Sequence, residues 1–480
     1  MSPEPSPTPK TGGWVRLLIA FVVAFDVAAF FQWADGAFQS EFGGHPEEAA
    51  HYLSGLHVRD AAMHGPAAAL RHAPAFDIAQ GGWMLIFGSS RIAALLFMAA
   101  LATATATLVF WTVRREFGDW AAAVASLVWL CAPAVRESYE TILPEQFSAF
   151  ALTGTGLLWA RLMDGGNLRR TSVTNWIGVV ATLVGGSVLA FAGAVALKVV
   201  PGDPSAATLY LEECASALGI ATAVFALAGM AIRRRSDART GATWVAMSAL
   251  IAGVLLVRWM KAGLPDVRVF IIATPALAMF AARGAVSLAG VVGSQGAVIG
   301  GHSRRKALWI FLLLLLALPQ DLLHLRQKDW QGFGPVALTL IEQSGSPSRV
   351  LVVSDRRGEG LLLAEIAMHD GTRKITIERG SETLADSAAT APDGKPSERF
   401  LDDEQLLAHL TSGGIRYIVL DSAVPAEMHA GYHDQVLRVL EDNVRSFWPI
   451  YDARIIRDGE PMGHPLRIFR VMKPDDAPAQ

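Results

Sequence analysis

The sequence predicts a polytopic α-helical membrane bundle of about nine spans that carries a C-terminal soluble α/β domain. Two observations lead there. Of 480 residues, 52% are hydrophobic and 18% charged, with a mean hydropathy of +0.34, which is too apolar for an ordinary soluble enzyme. Charge is also segregated: from Gln331 onward there are 16 Lys+Arg against 23 Asp+Glu, leaving 25 against 21 in the rest. An apolar, mildly basic body therefore carries an acidic, polar tail. The net charge of -3, without any Lys/Arg block, excludes nucleic acid as a partner, because phosphate binding needs a clustered basic face. Cys131 and Cys214 are the only cysteines, too few for a disulfide framework or a thiolate zinc site.

Apolar runs of about 17 to 25 residues define the spans in order. They are Arg16 to Trp33, Arg91 to Val113, Trp120 to Val135, Gln146 to Met163, Asn175 to Val200, Cys214 to Ile232, Ala242 to Trp259, Val269 to Leu288 and Ala307 to Leu323. The first lacks a signal-peptidase-like site after it, so it is expected to be retained. Asp26 interrupts that span and is expected to face the bundle and find a partner there. The apolar piece Asp77 to Ser90 is too short to cross and is expected to be interfacial or re-entrant. Four basic connectors fall on one side if the chain starts in the cytoplasm: Arg114 and Arg115; Arg161 with Arg169 and Arg170; Arg233 to Arg235 with Arg239; Arg304 to Lys306. The expected organisation is a cytoplasmic tail (1–15), a membrane domain (16–325) with a large periplasmic loop (34–90), and a periplasmic α/β domain (330–480).

In the tail, Arg349 to Asp355 and Arg416 to Asp421 read as strands rich in β-branched residues. Gly360 to His369, Asp403 to Leu410 and His433 to Val444 carry helical spacing. Ser381 to Ser397 reads as a mobile loop. Gly358-Glu359-Gly360 lacks the third glycine of a dinucleotide turn, so no nucleotide cofactor is expected.

Chemistry is expected in the first outer loop, where carboxylates are accessible rather than buried in lipid. It holds five of the chain's 12 histidines and the run Pro46-Glu47-Glu48-Ala49-Ala50-His51-Tyr52-Leu53. Proline in a first turn beside two acids marks a helix start. Leu53, Leu56 and Met63 suggest that this helix lies on the membrane surface. Glu47 and His51, four apart, share a face, so a carboxylate could sit beside an imidazole. The plainer reading is a capped helix with solvated acids. Histidine spacings in the loop match no zinc pattern.

These features together resemble the GT-C membrane glycosyltransferases, in particular the protein O-mannosyltransferase and lipid A aminoarabinose transferase branch. Glu47-Glu48-Ala49 resembles its acidic pair, usually Asp-Glu, with the aromatic displaced to Tyr52. Leu85-Ile86-Phe87-Gly88 leading to Arg91 is similar to its turn into an Arg-headed second span. Arg114-Arg115-Glu116-Phe117-Gly118 resembles its basic-Phe-Gly exit, and Pro144-Glu145-Gln146-Phe147 its second outer acidic site, normally Asp. Gly193 to Lys198 is similar to a segment ending in an outward Lys, and Asp266 through Arg268 to Pro275 to an Arg…Pro helix. The likeness covers residues 14 to 290.

The resemblance implies transfer of a sugar from a polyprenyl-phosphate carrier to a hydroxyl on a glycan, lipid or protein outside the membrane, with inversion. It implies Glu47 as base, with Glu48 and Glu145 as positioning groups or oxygen ligands of a divalent cation, and His51 beside the substrate. Lys198, Arg258, Lys261 and Arg268 are cations on the side where few are expected, and would hold lipid phosphate. Arg258 and Lys261 would otherwise snorkel to headgroups, and Arg268 would pair with Asp266. Two other readings remain: a non-catalytic scaffold of the same fold, since both key acids are Glu where the family favours Asp, and a transporter, which would show paired, broken halves.

Overall fold

The structure, a computed structural model, describes residues 12–42, 45, 47–65, 73–164, 219–231, 238–260, 268–294, 330–371, 374–390, 396–422, 424–425, 428–457 and 463–472. The expected spans Asn175 to Val200 and Ala307 to Leu323 lie outside them. In chain order the elements are α1 (Gly12–Ala34), α2 (Glu48–His64), α3 (Ala75–Phe87), α4 (Arg91–Phe117), α5 (Asp119–Cys131), α6 (Pro133–Tyr139), α7 (Glu145–Asp164), α8 (Ile220–Ala231), α9 (Ala238–Met260), α10 (Arg268–Ile271), α11 (Thr274–Ser294) and α12 (Phe333–Gln343). Then follow β1 (Ser348–Val353), α13 (Arg356–His369), β2 (Ile375–Arg379), α14 (Gly380–Thr383), β3 (Ala385–Thr390), β4 (Pro396–Glu398), α15 (Asp403–Ser412), β5 (Ile415–Asp421), α16 (Gly431–Asp442), β6 (Phe447–Ile455) and β7 (His464–Val471). The chain divides into two compact units, Met1–Gln32 with Leu96–Leu325 and Trp33–Leu95 with Arg326–Gln480.

In the first unit, α1 and α4 are long and apolar enough to cross a membrane, with 23 and 27 residues. At about 1.5 Å per residue each exceeds a hydrocarbon core of about 30 Å. Two expected spans are broken. The run from Trp120 stops at Cys131, because Pro133 has no amide to donate and forces Ala132 out of helical geometry (φ -59°, ψ 133°). The run from Val269 divides into α10 and α11, with Pro275 in the first turn of α11, where a missing amide costs nothing. Trp129 ties these two breaks together: its buried ring donates to Thr274 Oγ1 at 2.9 Å. α8 and α11 cross at Gly229 and Gly284, where any Cβ would strike the backbone of the other helix. Asp26, expected to face the bundle, lies instead on the exposed stripe of α1 with Leu18, Val22 and Phe30. Cys131 is buried, 2% exposed.

The second unit is built on a five-stranded sheet in the order β2-β1-β5-β7-β6. β1 runs parallel to β2 and β5, whereas β7 is antiparallel to β5 and β6. Leu351, Val353, Ile418 and Leu420 pack with Leu406, Val436 and Leu440 of α15 and α16 in one buried cluster. Burial of nearly every residue of β1 and β5 explains their continuous apolar runs. The expected loop Ser381 to Ser397 contains α14 and the antiparallel strands β3 and β4. Small Ser and Ala residues carry weak β-propensity, and only pairing makes them strands.

The first loop contributes α2 and α3, which pack against each other, and α2 also packs on α13. Leu56 is 2% exposed and Tyr52 fully buried, so the apolar face of α2 is covered by protein, and only Met63 of the expected surface-lying trio is well exposed. Asp77 to Ser90 folds as the 13-residue helix α3, about 20 Å long. Gly88 ends it at φ 90°, and Gly118 at φ 88° separates α4 from α5. Both Phe-Gly turns therefore need glycine for its left-handed backbone.

Candidate functional site

The acidic pair at the start of α2 divides into two environments. Glu47 precedes the first full turn and is exposed, with its amide donating to His45 Nδ1 at 3.1 Å. Glu48, one residue on, turns inward and is fully buried. Its carboxylate lies 3.3 Å from Arg91 Nη2. The same guanidinium donates to the carbonyls of Ala37 and Ser40, the latter at 2.6 Å, and sits 5.4 Å from the centre of the Phe42 ring. Phe42 packs at 4.6 Å on Tyr52, whose hydroxyl donates to the carbonyl of Ser89. A buried charge is tolerable only when paired and hydrogen-bonded, and Arg91 meets that condition with planar contacts on several sides. The result clamps the start of α2 to the turn between α3 and α4.

His51 does not have Glu47 as its charge partner. Its Nδ1 lies 3.5 Å from Asp77 Oδ1 on α3, and its ring meets Phe76 edge-on at 5.6 Å. The hydroxyl of Ser54 donates to the other oxygen of Asp77. Glu47 and His51 are joined through the backbone, where the amide of His51 donates to the carbonyl of Glu47 at 3.0 Å. Helical spacing alone could not foresee this, because α3 brings in a carboxylate from 26 positions away.

Glu41 fixes the same loop to the C-terminal part of this unit. It accepts the amides of Gly332, Phe333 and Gly334 at 3.1, 2.8 and 2.8 Å, the unpaired donors at the start of α12. Burial, with the charge of Glu365, pushes its carboxyl up to about 7 against the pull of those three amides. On α13, Glu359 is likewise pushed to about 7 by burial, opposed by the hydroxyl and amide of Ser381 and by Arg379. The amide of Gly358 is taken by the Asp355 side chain, which caps α13.

Glu145, in the first unit, opens α7 and is half-buried. Beside it, fully buried Gln146 donates to Ser138 Oγ and to the carbonyl of Val135. Nearby, buried Arg136 pairs with Glu140 at 3.4 Å and lies 4.5 Å from the Phe31 ring centre. Of the expected phosphate-binding cations, Arg268 begins α10 and Arg258 lies on α9, with side chains outside the described set; Lys198 and Lys261 fall outside it altogether. Among the described residues no three carboxylate, imidazole or thiol groups converge as a metal ion requires.

The sequence motifs give Arg91 only as the head of the second span, and they assign no partner to Asp77 or Glu41. Arg91 did carry a signal, as a lone cation heading an apolar helix; Asp77 and Glu41 carried none, since their partners are distant in sequence.

The chain, with its C-terminal sheet domain, shares its fold with solved structures of ArnT. It is similar to ArnT from Cupriavidus metallidurans in the apo state, with 12% identity and a TM-score of 0.54 over 98% of this chain and 100% of that one. It is also similar to ArnT from Cupriavidus metallidurans bound to undecaprenyl phosphate, with 13% identity and a TM-score of 0.50 over the same shares. No family model matches the sequence, and no curated protein matches it.

Proposed function

We propose that this chain is a membrane glycosyltransferase that moves a sugar from a polyprenyl-phosphate carrier to an acceptor hydroxyl on the outer side of the membrane, with inversion. The observation that carries the proposal is the division of the acidic pair: a solvent-facing Glu47 held next to a Glu48 locked by Arg91. The shared ArnT fold, and undecaprenyl phosphate bound in one ArnT structure, support the choice of carrier. Glu47 takes the proton of the acceptor hydroxyl as its oxygen bonds to the anomeric carbon. The bond from that carbon to the phosphate oxygen breaks, and the electron pair leaves with polyprenyl phosphate. Lys198, Arg258, Lys261 and Arg268 are assigned to that departing charge, and Glu145 and His51 to positioning.

The amino terminus is assigned to the cytoplasm and the C-terminal domain to the periplasm, because only then do the basic connectors face inward. A reporter active only in the cytoplasm when fused after Gln480 would overturn this arrangement. The function is tested by mass analysis of envelope glycans and lipids from cells with and without the gene. A sugar missing in the deletion, and restored by wild type but not by Glu47→Gln, is the expected result. Full restoration by Glu47→Gln at equal membrane level would instead favour a non-catalytic scaffold of this fold.

A further inference from the structure

Helices that pack in a membrane leave grooves wherever small residues line a crossing, and lipid must fill what protein does not. Within the first unit, α1, α4 and α5 enclose such a groove of about 370 Å³. Its walls are apolar, formed by Ile19, Val23, Phe110, Trp120, Leu127 and Leu130. One end is charged: Asp119 pairs with Arg16 at 2.9 Å and with Arg114, so two cations share one anion. These groups are accessible, with Arg16 57% and Asp119 49% exposed at the side chain. Trp120 is 74% exposed beside them, and exposed tryptophans of membrane proteins are enriched at the headgroup level.

The groove's length selects its occupant. From Arg16 to Ala24 the axial rise of α1 is about 12 Å, and from Asp119 to Leu130 that of α5 is about 16 Å. This is about half of a 30 Å hydrocarbon core, the depth of a single leaflet. A partner transmembrane helix would need the full thickness, and a polyprenyl chain is far longer than one leaflet. We propose that this groove is a binding site for one anionic glycerophospholipid. An acyl chain lies against Val23 and Leu127, and the phosphate meets Arg16 and Arg114, whose charge exceeds that of Asp119 by one. The site is separate from the sugar-transfer chemistry and rests only on the chain's being a membrane protein.

The test is native mass spectrometry of the purified full chain, released from micelles doped with phosphatidylglycerol, phosphatidylcholine or undecaprenyl phosphate. One phosphatidylglycerol should survive activation that strips phosphatidylcholine. Ala123→Phe fills the groove from an exposed position and should abolish that retention. Arg16→Gln should weaken it about fivefold, the contribution of one Arg near a charged lipid surface. Asp119→Asn should strengthen it, which a merely structural ion pair would not do. Melting temperatures of the three variants report folding independently. Equal retention of phosphatidylcholine, unchanged retention in folded Ala123→Phe, weaker retention in Asp119→Asn, or preferential retention of undecaprenyl phosphate would each overturn the proposal.

Discussion

Two adjacent glutamates with the same chemistry acquire opposite roles from a rotation of about 100° around a helix axis. Glu47→Gln keeps shape and hydrogen-bonding capacity but removes the charge that draws a proton. It is expected to leave folding intact and to lower transfer about 10²- to 10⁴-fold, measured as sugar incorporated by membranes with matched protein levels. Glu48→Gln leaves Arg91 buried without its countercharge. Breaking such a pair costs about 3–5 kcal/mol, so this variant is expected to lose membrane abundance and thermal stability before any effect on chemistry is read. An equal melting temperature for Glu48→Gln and wild type would show that the clamp contributes nothing. The motif itself was legible in the sequence as an acidic pair at a helix start. Which member faces inward was not, because the answer comes from Arg91, 43 residues away, and from the aromatic pair Phe42 and Tyr52.

Among elements, legibility followed burial. β1 and β5 are covered on both faces and announce themselves as unbroken β-branched runs, whereas the edge strand β6 and its neighbour β7 carry Pro449 and Pro465 and mix arginine with apolar residues. The start of α12 was equally silent, since its cap, Glu41, comes from the first loop. That cap carries a pH dependence whose sign is fixed. A carboxyl raised in the folded state from 4.5 to about 7 binds its proton more tightly when folded. Its contribution to stability is fully present below about 4.5 and is lost as pH rises through about 7. Glu359 acts in the same direction. His433 acts oppositely, because burial lowers its pKa and protonation below its usual range opposes folding. Raising the pH from 6.5 to 8 is therefore expected to lower the melting temperature of the second unit. Glu41→Gln keeps one acceptor oxygen for the amides but cannot ionise, so the decline should be shallower in this variant. A melting profile against pH that is the same in both proteins would remove Glu41 as its source.

At the scale of the molecule, the tail reads from composition as an independent domain beginning near residue 330, yet its unit also contains Trp33–Leu95. The dependence is specific. Three amides of α12 use Glu41, the amide of Trp330 donates to Ser40 Oγ at 3.1 Å, and the amide of Glu41 donates to the carbonyl of Trp330 at 2.7 Å. The amide of Arg91 also meets the sulfur of Met368 at 3.3 Å. Removing residues 33–95 would strip a layer of packing from α13 and leave the helix-start donors without their carboxylate. Such orphaned donors, where still shielded from water, cost about 1–3 kcal/mol each, comparable to a large share of the total stability of a small domain. A fragment of residues 330–480 is therefore expected to be compact but loosely packed. It should melt far below a single polypeptide that joins residues 33–95 through a flexible linker to residues 326–480. The sheet strands themselves should persist in both, since the cluster of β1, β5, α15 and α16 lies entirely within the fragment. Hydrogen exchange distinguishes the two effects. Amides of β1 and β5 should stay protected in the fragment, while those of Phe333 and Gly334 should exchange as if unstructured and regain protection in the joined chain. Equal melting temperatures and equal protection of Phe333 in the two proteins would mean that the tail folds without the loop.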